Sequence, residues 1–165
     1  MTEDLDRLLQ RDSIEKRTSV NALVVGMFEK YAEWDRFTAK FGFVSCSRAF
    51  LRALIDSTSE AELVRRAKDL GDRQPKEFTY LWFKKLDADA FQRFISLTSK
   101  YASLFEGDVE IDGRILTFNA RHEYGEKWSR FLESYFGQAA RSFGLVPQLE
   151  HTSDHMILRV QIPSG

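Results

Sequence analysis

The sequence has one cysteine and no long hydrophobic run. Cys46 stands alone among 165 residues, which excludes an internal disulfide and a zinc site built from several cysteines. No apolar segment approaches the roughly 20 residues that a membrane-spanning helix needs, and charged residues begin at Glu3. Neither a transmembrane helix nor a signal peptide is therefore predicted, and we expect a cytoplasmic protein.

An excess of charge of either sign is also missing. The chain contains 24 Lys and Arg against 25 Asp and Glu, so its composition gives no overall signature of nucleic-acid binding. Any contact with DNA would need a local basic patch. With 43% hydrophobic residues, the chain can bury a sizeable core in one domain or in two small ones.

The familiar motifs of catalysis and cofactor binding do not occur. The chain has no phosphate-binding glycine loop, no dinucleotide fingerprint, no nucleophile elbow and no HExxH helix, so we expect neither an enzyme nor a bound cofactor. His151 and His155 flank a predicted turn and face each other in the simplest hairpin. Zinc normally takes three or four protein ligands in a defined geometry, so no metal site is predicted there.

A pair of amphipathic helices is the main feature that the sequence does contain. Apolar residues recur at spacings near three and four in both helices. They are Leu5, Leu8, Leu9 and Ile14 in the first helix, and Val20, Leu23, Val24, Met27, Phe28, Tyr31 and Trp34 in the second. Thr18 or Ser19 can cap the second helix, whose remaining free amides and positive dipole end suit a phosphate.

The corner Ser19-Val20-Asn21-Ala22-Leu23, with a helix on either side, resembles the ribbon-helix-helix family of DNA-binding proteins. This resemblance implies a homodimer in which an N-terminal strand reads the DNA bases and the start of the second helix clamps a phosphate. Carried onto this sequence, the DNA-facing residues are Thr18, Ser19, Val20 and Asn21, with positive charge from Lys16, Arg17 and Arg11.

One departure from the family concerns the strand that should precede the first helix. Only four residues stand before Leu5, and Glu3 and Asp4 among them would repel DNA. Either the true start lies upstream, or the unit has lost its strand and kept its dimerising helices. Both explanations remain open at this point.

The middle of the chain, residues 44–104, is predicted to be helical. Gly42 is suited to end the second helix, and Ser45 or Ser47 to begin the next. The inner face of that next helix is predicted to carry Phe50, Leu51, Leu54 and Ile55. Ser59 and Glu62 then have the spacing of a capping box.

A linker is expected within this middle segment. The helix that follows Ser59 is predicted to stop near Gly71, and Gly71–Pro75 combines glycine, charge and proline as linkers do. Residues 76–104 are predicted to form two more helices, separated at Asp87–Asp89, where Asp87 or Asp89 caps the second.

The last part of the chain changes to the alternating pattern of strands. Asp112-Gly113 predicts a hairpin turn, Glu126–Phe143 a helix ended by Gly144, and the residues around Thr152–Asp154 a second hairpin. The expected result is a β-β-α-β-β unit with the helix on one face of an antiparallel sheet.

One polar stretch in this tail is a candidate site. The segment from His122 to Ser129, of the form H-x-x-G-x-K-W-S, resembles a stretch in the tails of uncharacterised prokaryotic proteins, which implies no activity. His122 is the candidate ligand contact or proton switch; the alternative is a histidine that orients a turn through a hydrogen bond.

These patterns together predict an α+β protein with a helical head at 1–43, a helical middle at 44–104 and a hairpin-helix-hairpin tail at 105–165. The predicted function is transcriptional regulation by a homodimer of ribbon-helix-helix type, whose tail senses a small-molecule effector or extends oligomerisation. The alternative is a non-catalytic protein-interaction or small-ligand-binding module that uses the N-terminal helices only to dimerise.

Overall fold

The computed structural model describes residues 2–163, apart from the side chain of Ala39. Met1, Ser164 and Gly165, which belong to the predicted head and tail, lie outside the described residues. The chain divides into two compact units, the first ending at Phe43 and the second beginning at Val44. The elements of the first unit are helices α1 (Glu3–Glu15) and α2 (Val20–Lys30), a π-helical turn (Tyr31–Asp35) and helix α3 (Arg36–Phe41).

The second unit contains the remaining helices and the sheet. Its helices are α4 (Arg48–Ser57), α5 (Glu60–Phe83), α6 (Ala88–Tyr101) and α7 (Glu126–Ser142). Its strands are β1 (Glu106–Asp112), β2 (Ile115–Arg121), β3 (Pro147–His151) and β4 (His155–Gln161). The predicted α+β class, with helices first and a hairpin-helix-hairpin tail last, is confirmed.

The corner between α1 and α2 is closed by backbone hydrogen bonds. Arg17 adopts a left-handed conformation with φ 53°, its amide donates to the Ile14 carbonyl, and the Thr18 amide donates to the Ser13 carbonyl at 2.9 Å. These two bonds form a Schellman motif, which satisfies carbonyls at the end of α1. Ser19 caps α2 by accepting a bond from the Ala22 amide at 3.1 Å, as the sequence predicts.

A π-helical turn follows α2 and changes which positions face inward. The turn inserts extra backbone into the helix, so a stripe of constant α-helical period cannot continue through it. Trp34 is buried, and its ring lies 5.6 Å from that of Phe43, centroid to centroid. Tyr31 is 61% exposed although it belongs to the predicted stripe. Gly42 ends the helix with φ 67°, as predicted.

The pairing of α5 with α7 corrects the predicted linker. Helix α5 runs without interruption from Glu60 to Phe83, so Gly71–Pro75 is not a linker. Gly71 is buried because α7 approaches it closely: a Cβ built on Gly71 would lie 2.3 Å from the carbonyl oxygen of Tyr135. Pro75 is also buried, and the Thr79 hydroxyl donates to its carbonyl at 2.8 Å.

The predicted caps of the other helices are confirmed, and the predicted inner face of α4 is partly wrong. Ser47 caps α4, Ser59 caps α5 and Asp87 caps α6, each accepting a bond from an amide three residues on. In α4, however, only Ile55 is buried, while Phe50 and Leu54 are exposed. Helical periodicity correctly predicted an apolar stripe on α4, but the rest of the unit covers only part of that stripe.

The four strands form one antiparallel sheet in the order β1-β2-β4-β3. Strands β2 and β4 occupy the centre, with Phe118 opposite Leu158. Alternate side chains of these strands are fully buried under α6 and α7, where the rings of Phe118 and Phe136 meet edge to face with centroids 5.0 Å apart. The predicted boundary at residue 43 coincides with the division between the units, whereas the predicted middle and tail share the second unit.

Within residues 2–163, no helix combines the length and the apolar character that crossing a bilayer would require.

Candidate functional site

The α1–α2 corner brings the predicted DNA-binding residues together on an exposed surface. Arg11 lies on α1, Lys16 is the C-cap residue of α1, and Arg17 and Thr18 make the turn into α2. Val20 is half-buried, and the other six predicted residues are exposed: Arg11, Lys16, Arg17, Thr18, Ser19 and Asn21. Their backbone positions are fixed by the Schellman motif and by the Ser19 cap, so the corner presents a defined arrangement of polar groups.

The backbone amides at the start of α2 add hydrogen-bond donors to this corner. The first amides of any helix have no acceptor within the helix. At α2, the Ala22 amide donates to Ser19 Oγ and the Leu23 amide to the Ser19 carbonyl, so Val20 and Asn21 supply the amides without helical partners. These amides and the positive end of the helix dipole favour an anion.

Acidic side chains oppose that positive potential nearby. Arg11 Nε lies 3.9 Å from Asp12 Oδ1, and Glu15 is exposed one residue before Lys16. Residues 1–43 contain seven Lys and Arg against eight Asp and Glu, so the positive charge is local to the corner. Solvent and salt screen such exposed charges strongly at distances beyond about 10 Å.

Exposed apolar side chains are the second notable feature of the first unit. Leu9 and Trp34 are its buried large apolar residues, while Phe28 is 69% and Met27 48% exposed. Other large apolar side chains left exposed in the two helices and the π turn are Leu5, Leu8, Ile14, Val25 and Tyr31. Exposed apolar side chains in this number are available to be covered by another protein surface.

His122, the candidate residue of the tail, is buried at the junction between β2 and α7. Its Nδ1 accepts a hydrogen bond from the Tyr124 amide at 3.2 Å, and its Nε2 lies 2.9 Å from Ser129 Oγ. An amide can only donate, so Nδ1 carries no proton and the neutral ring carries its proton on Nε2. Burial lowers the pKa of His122, against the attraction of the Asp154 carboxylate.

This tautomer decides what the His122–Ser129 pair can do chemically. A histidine activates a serine by accepting the hydroxyl proton at a free nitrogen. Here Nε2 carries the proton and donates to Ser129 Oγ, and Ser129 is itself fully buried. The arrangement therefore orients the turn and does not make a nucleophile; ligand binding by His122 stays a prediction.

The residues that follow His122 attach α4 to the rest of the second unit. Lys127 Nζ donates to the carbonyls of Asp56 at 3.3 Å and Thr58 at 3.0 Å, at the C-terminal end of α4. Arg52 of α4 donates in return to the Glu123 carbonyl, and its guanidinium lies over the Tyr124 ring. The segment is thus a structural junction of α4, β2 and α7.

The structure separates the two C-terminal histidines. His151 pairs with Met156, which is buried on the helix-covered face of the sheet, while His155 begins β4 one residue earlier. Because side chains alternate along a strand, His151 and His155 lie on opposite faces and do not face each other. Within residues 2–163, no group of three or more His, Cys, Asp or Glu is arranged to hold a metal ion.

Sequence reasoning missed the charged cluster around His151. Its Nε2 lies 3.0 Å from Glu126 Oε1, and its Nδ1 lies 3.0 Å from Glu133 Oε2. Arg130 bridges Glu126 to Glu60 of α5. The sequence feature that could have predicted this cluster is the seven-residue spacing of Glu126 and Glu133, which places both carboxylates on one face of a helix.

No protein-family model matches this chain, and no curated protein sequence matches it either.

Proposed function

We propose that this chain is a transcriptional regulator whose N-terminal helix pair dimerises and binds the DNA backbone at the α1–α2 corner. The observation that carries the proposal is that the same unit exposes both a polar basic corner and large apolar side chains. The corner supplies contacts to phosphates, and the apolar side chains supply the surface for a second copy. This division of roles is the one that the ribbon-helix-helix resemblance implies.

The proposal gives each corner residue a task. Lys16 and Arg17 meet phosphates through charge, and the amides of Val20 and Asn21 hold a phosphate at the start of α2. Ser19 keeps its hydroxyl on the Ala22 amide and so maintains the geometry of the helix start. Contacts of this kind set the register of a protein on DNA without reading its sequence.

In this proposal the protein acts in the cytoplasm as a homodimer, and the second unit serves the head by sensing an effector or by extending oligomerisation. The second unit would bind that effector without catalysing a reaction and without a cofactor. A base-reading strand supplied upstream of this sequence would add specificity.

Fluorescence anisotropy of a labelled mixed-sequence duplex, titrated with the protein at low and moderate salt, tests the proposal. The variant Lys16→Glu, Arg17→Glu should bind more weakly, and the log-log slope of its salt dependence should fall by about 0.9 for each phosphate that is no longer neutralised. The control is Lys84→Glu, Lys85→Glu, which makes the same change of charge at adjacent exposed residues in the second unit. If both variants weaken binding equally, the effect comes from the net charge of the whole chain and not from the corner.

A non-catalytic interaction module that uses the head only to dimerise is the second candidate. The near balance of charge in residues 1–43 favours it, because counterion release requires cations that actually meet phosphates. A wild-type protein that dimerises and yet leaves the anisotropy of the duplex unchanged would overturn the DNA-binding proposal in favour of this module.

A further inference from the structure

At the end of strand β3, a histidine is held between two carboxylates of helix α7. His151 is the last residue of β3, and both of its ring nitrogens lie 3.0 Å from a carboxylate oxygen of α7, one from Glu126 and one from Glu133. The His151 side chain is only 21% exposed. The contact is therefore partly sheltered from solvent, unlike most surface ion pairs.

The number of protons on the ring follows from this geometry. An ionised carboxylate accepts hydrogen bonds and donates none, and a neutral imidazole has one N–H to donate. Only the doubly protonated ring can donate to Glu126 and Glu133 at the same time. Removal of one proton leaves a ring nitrogen lone pair facing a carboxylate oxygen, which is repulsive.

We propose that His151, Glu126 and Glu133 form a proton-controlled latch, closed when the His151 ring is cationic, that fastens the end of edge strand β3 to α7. Histidine is the side chain whose charge ordinarily changes between about pH 5 and 8. Gain of the second ring proton closes the latch, and loss of that proton opens it. The order β1-β2-β4-β3 leaves β3 with only β4 as a strand neighbour, so opening loosens an edge of the sheet.

Charged groups on neighbouring residues do not reverse the direction in which protonation acts on the latch. Hydrogen bonds from His151 and Arg130 lower the pKa of Glu126, so this carboxylate stays ionised where histidine titrates. Arg130 of α7 contacts both Glu126 and Glu60 of α5, while Glu150 of β3 pairs with Arg159 of β4 and Asp154 pairs with His155.

His122 changes the stability of the fold with pH in the opposite direction from the latch. Burial lowers its pKa in the folded protein. The unfolded chain therefore binds a proton first as the pH falls through about 6.5, which destabilises the fold. This contribution is present in the wild type and in a His151 variant alike, so the difference between the two proteins isolates the latch.

Amide hydrogen exchange at pH 5.5 and pH 8, measured on the full chain and corrected for intrinsic exchange rates, tests the latch. The reporter is the Thr152 amide, which donates to the His155 carbonyl beside the latch. The ratio of protection at pH 5.5 to protection at pH 8 should be about two- to fivefold larger in the wild type than in His151→Gln, as expected for one partly exposed ion pair. His122 contributes equally to both ratios, and His155→Gln should give the wild-type ratio.

A direct measurement on the wild type keeps the proposal testable if a variant unfolds. Long-range proton–nitrogen NMR spectra should show both ring nitrogens of His151 protonated at pH 5.5 and one of them deprotonated by pH 8. A ring with a single proton throughout this range would overturn the latch. So would a ring that keeps both protons at pH 8, or a His151→Gln variant that retains the wild-type pH dependence.

Discussion

At the scale of single residues, Gly71 occupies a position where any side chain would collide with the backbone of α7. The carbonyl oxygen of Tyr135 on α7 occupies the space where a side chain would begin, 2.3 Å from the ideal Cβ position. A backbone carbonyl cannot rotate aside, so Gly71→Ala must push α5 and α7 apart. We expect the free energy of unfolding, measured by urea denaturation, to fall by about 1–3 kcal/mol.

The control for this substitution is Gly26→Ala in α2. A Cβ at Gly26 meets no atom within 4 Å, so the change should bring the helix-propensity gain of up to about 1 kcal/mol. Because the two glycines lie in different units, NMR signals from each unit should follow the two transitions separately. Equal effects at both positions would mean that the close approach of α5 and α7 does not constrain residue 71.

At the scale of elements, the features that the sequence predicted correctly are those with local causes. Ser47, Ser59 and Asp87 cap helices because each side chain bonds an amide only three residues away. The Asp112-Gly113 hairpin needs a positive φ, which Gly113 supplies at 59°. Helix caps and tight turns depend on residues close together in the sequence, so a local sequence pattern can predict them.

The elements that sequence analysis predicted wrongly depend on partners far along the chain. Gly71–Pro75 has the composition of a linker, yet α7 makes glycine necessary there and keeps both residues buried within α5. A local pattern puts His151 and His155 face to face because it does not contain the strand register. In the sheet, the partner of His151 is Met156. Neither Tyr135 nor the sheet register can be read from a local pattern.

Polar contacts from Lys127 join the end of helix α4 to α7, and they lead to a prediction at the same scale. Lys127→Met removes two charge-assisted hydrogen bonds to the carbonyls of Asp56 and Thr58. Such a bond contributes about 1.5–3 kcal/mol, so amides of α4 should exchange with solvent at least roughly tenfold faster, as measured by mass spectrometry. Ile55 remains buried, so α4 should stay helical.

The matched control for this prediction is Lys76→Met. Lys76 Nζ lies 3.6 Å from Asp72 Oδ2 one helical turn away, and an exposed pair of this kind contributes little. Exchange in α4 should therefore match the wild type in this variant. Unchanged exchange in Lys127→Met as well would show that the Lys127 hydrogen bonds do not anchor the helix.

On the scale of the whole molecule, the two units differ in how completely they bury their apolar residues. The second unit has a core of fully buried side chains that includes Phe91, Phe94, Phe118 and Phe136. The first unit buries Leu9 and Trp34 among its large apolar residues and leaves Phe28 and Tyr31 more than half exposed. Since burial of a large apolar side chain contributes about 1.5–3 kcal/mol, covering this surface would stabilise the first unit substantially.

A second copy of the chain is the cover proposed here, and Phe28→Glu, Tyr31→Glu tests it. Central aromatic residues of an interface commonly contribute at least about 2 kcal/mol each, so the dimer dissociation constant should rise by roughly 30-fold or more for each residue removed. Sedimentation velocity over a range of concentrations measures this change. Phe50→Glu, at an exposed aromatic residue of α4, is the control and should leave the dissociation constant unchanged. If the wild type remains monomeric at all concentrations, or if Phe50→Glu alone weakens association, the first unit is not the dimer interface. The DNA-binding proposal would then lack the two-fold arrangement of corners on which its register depends.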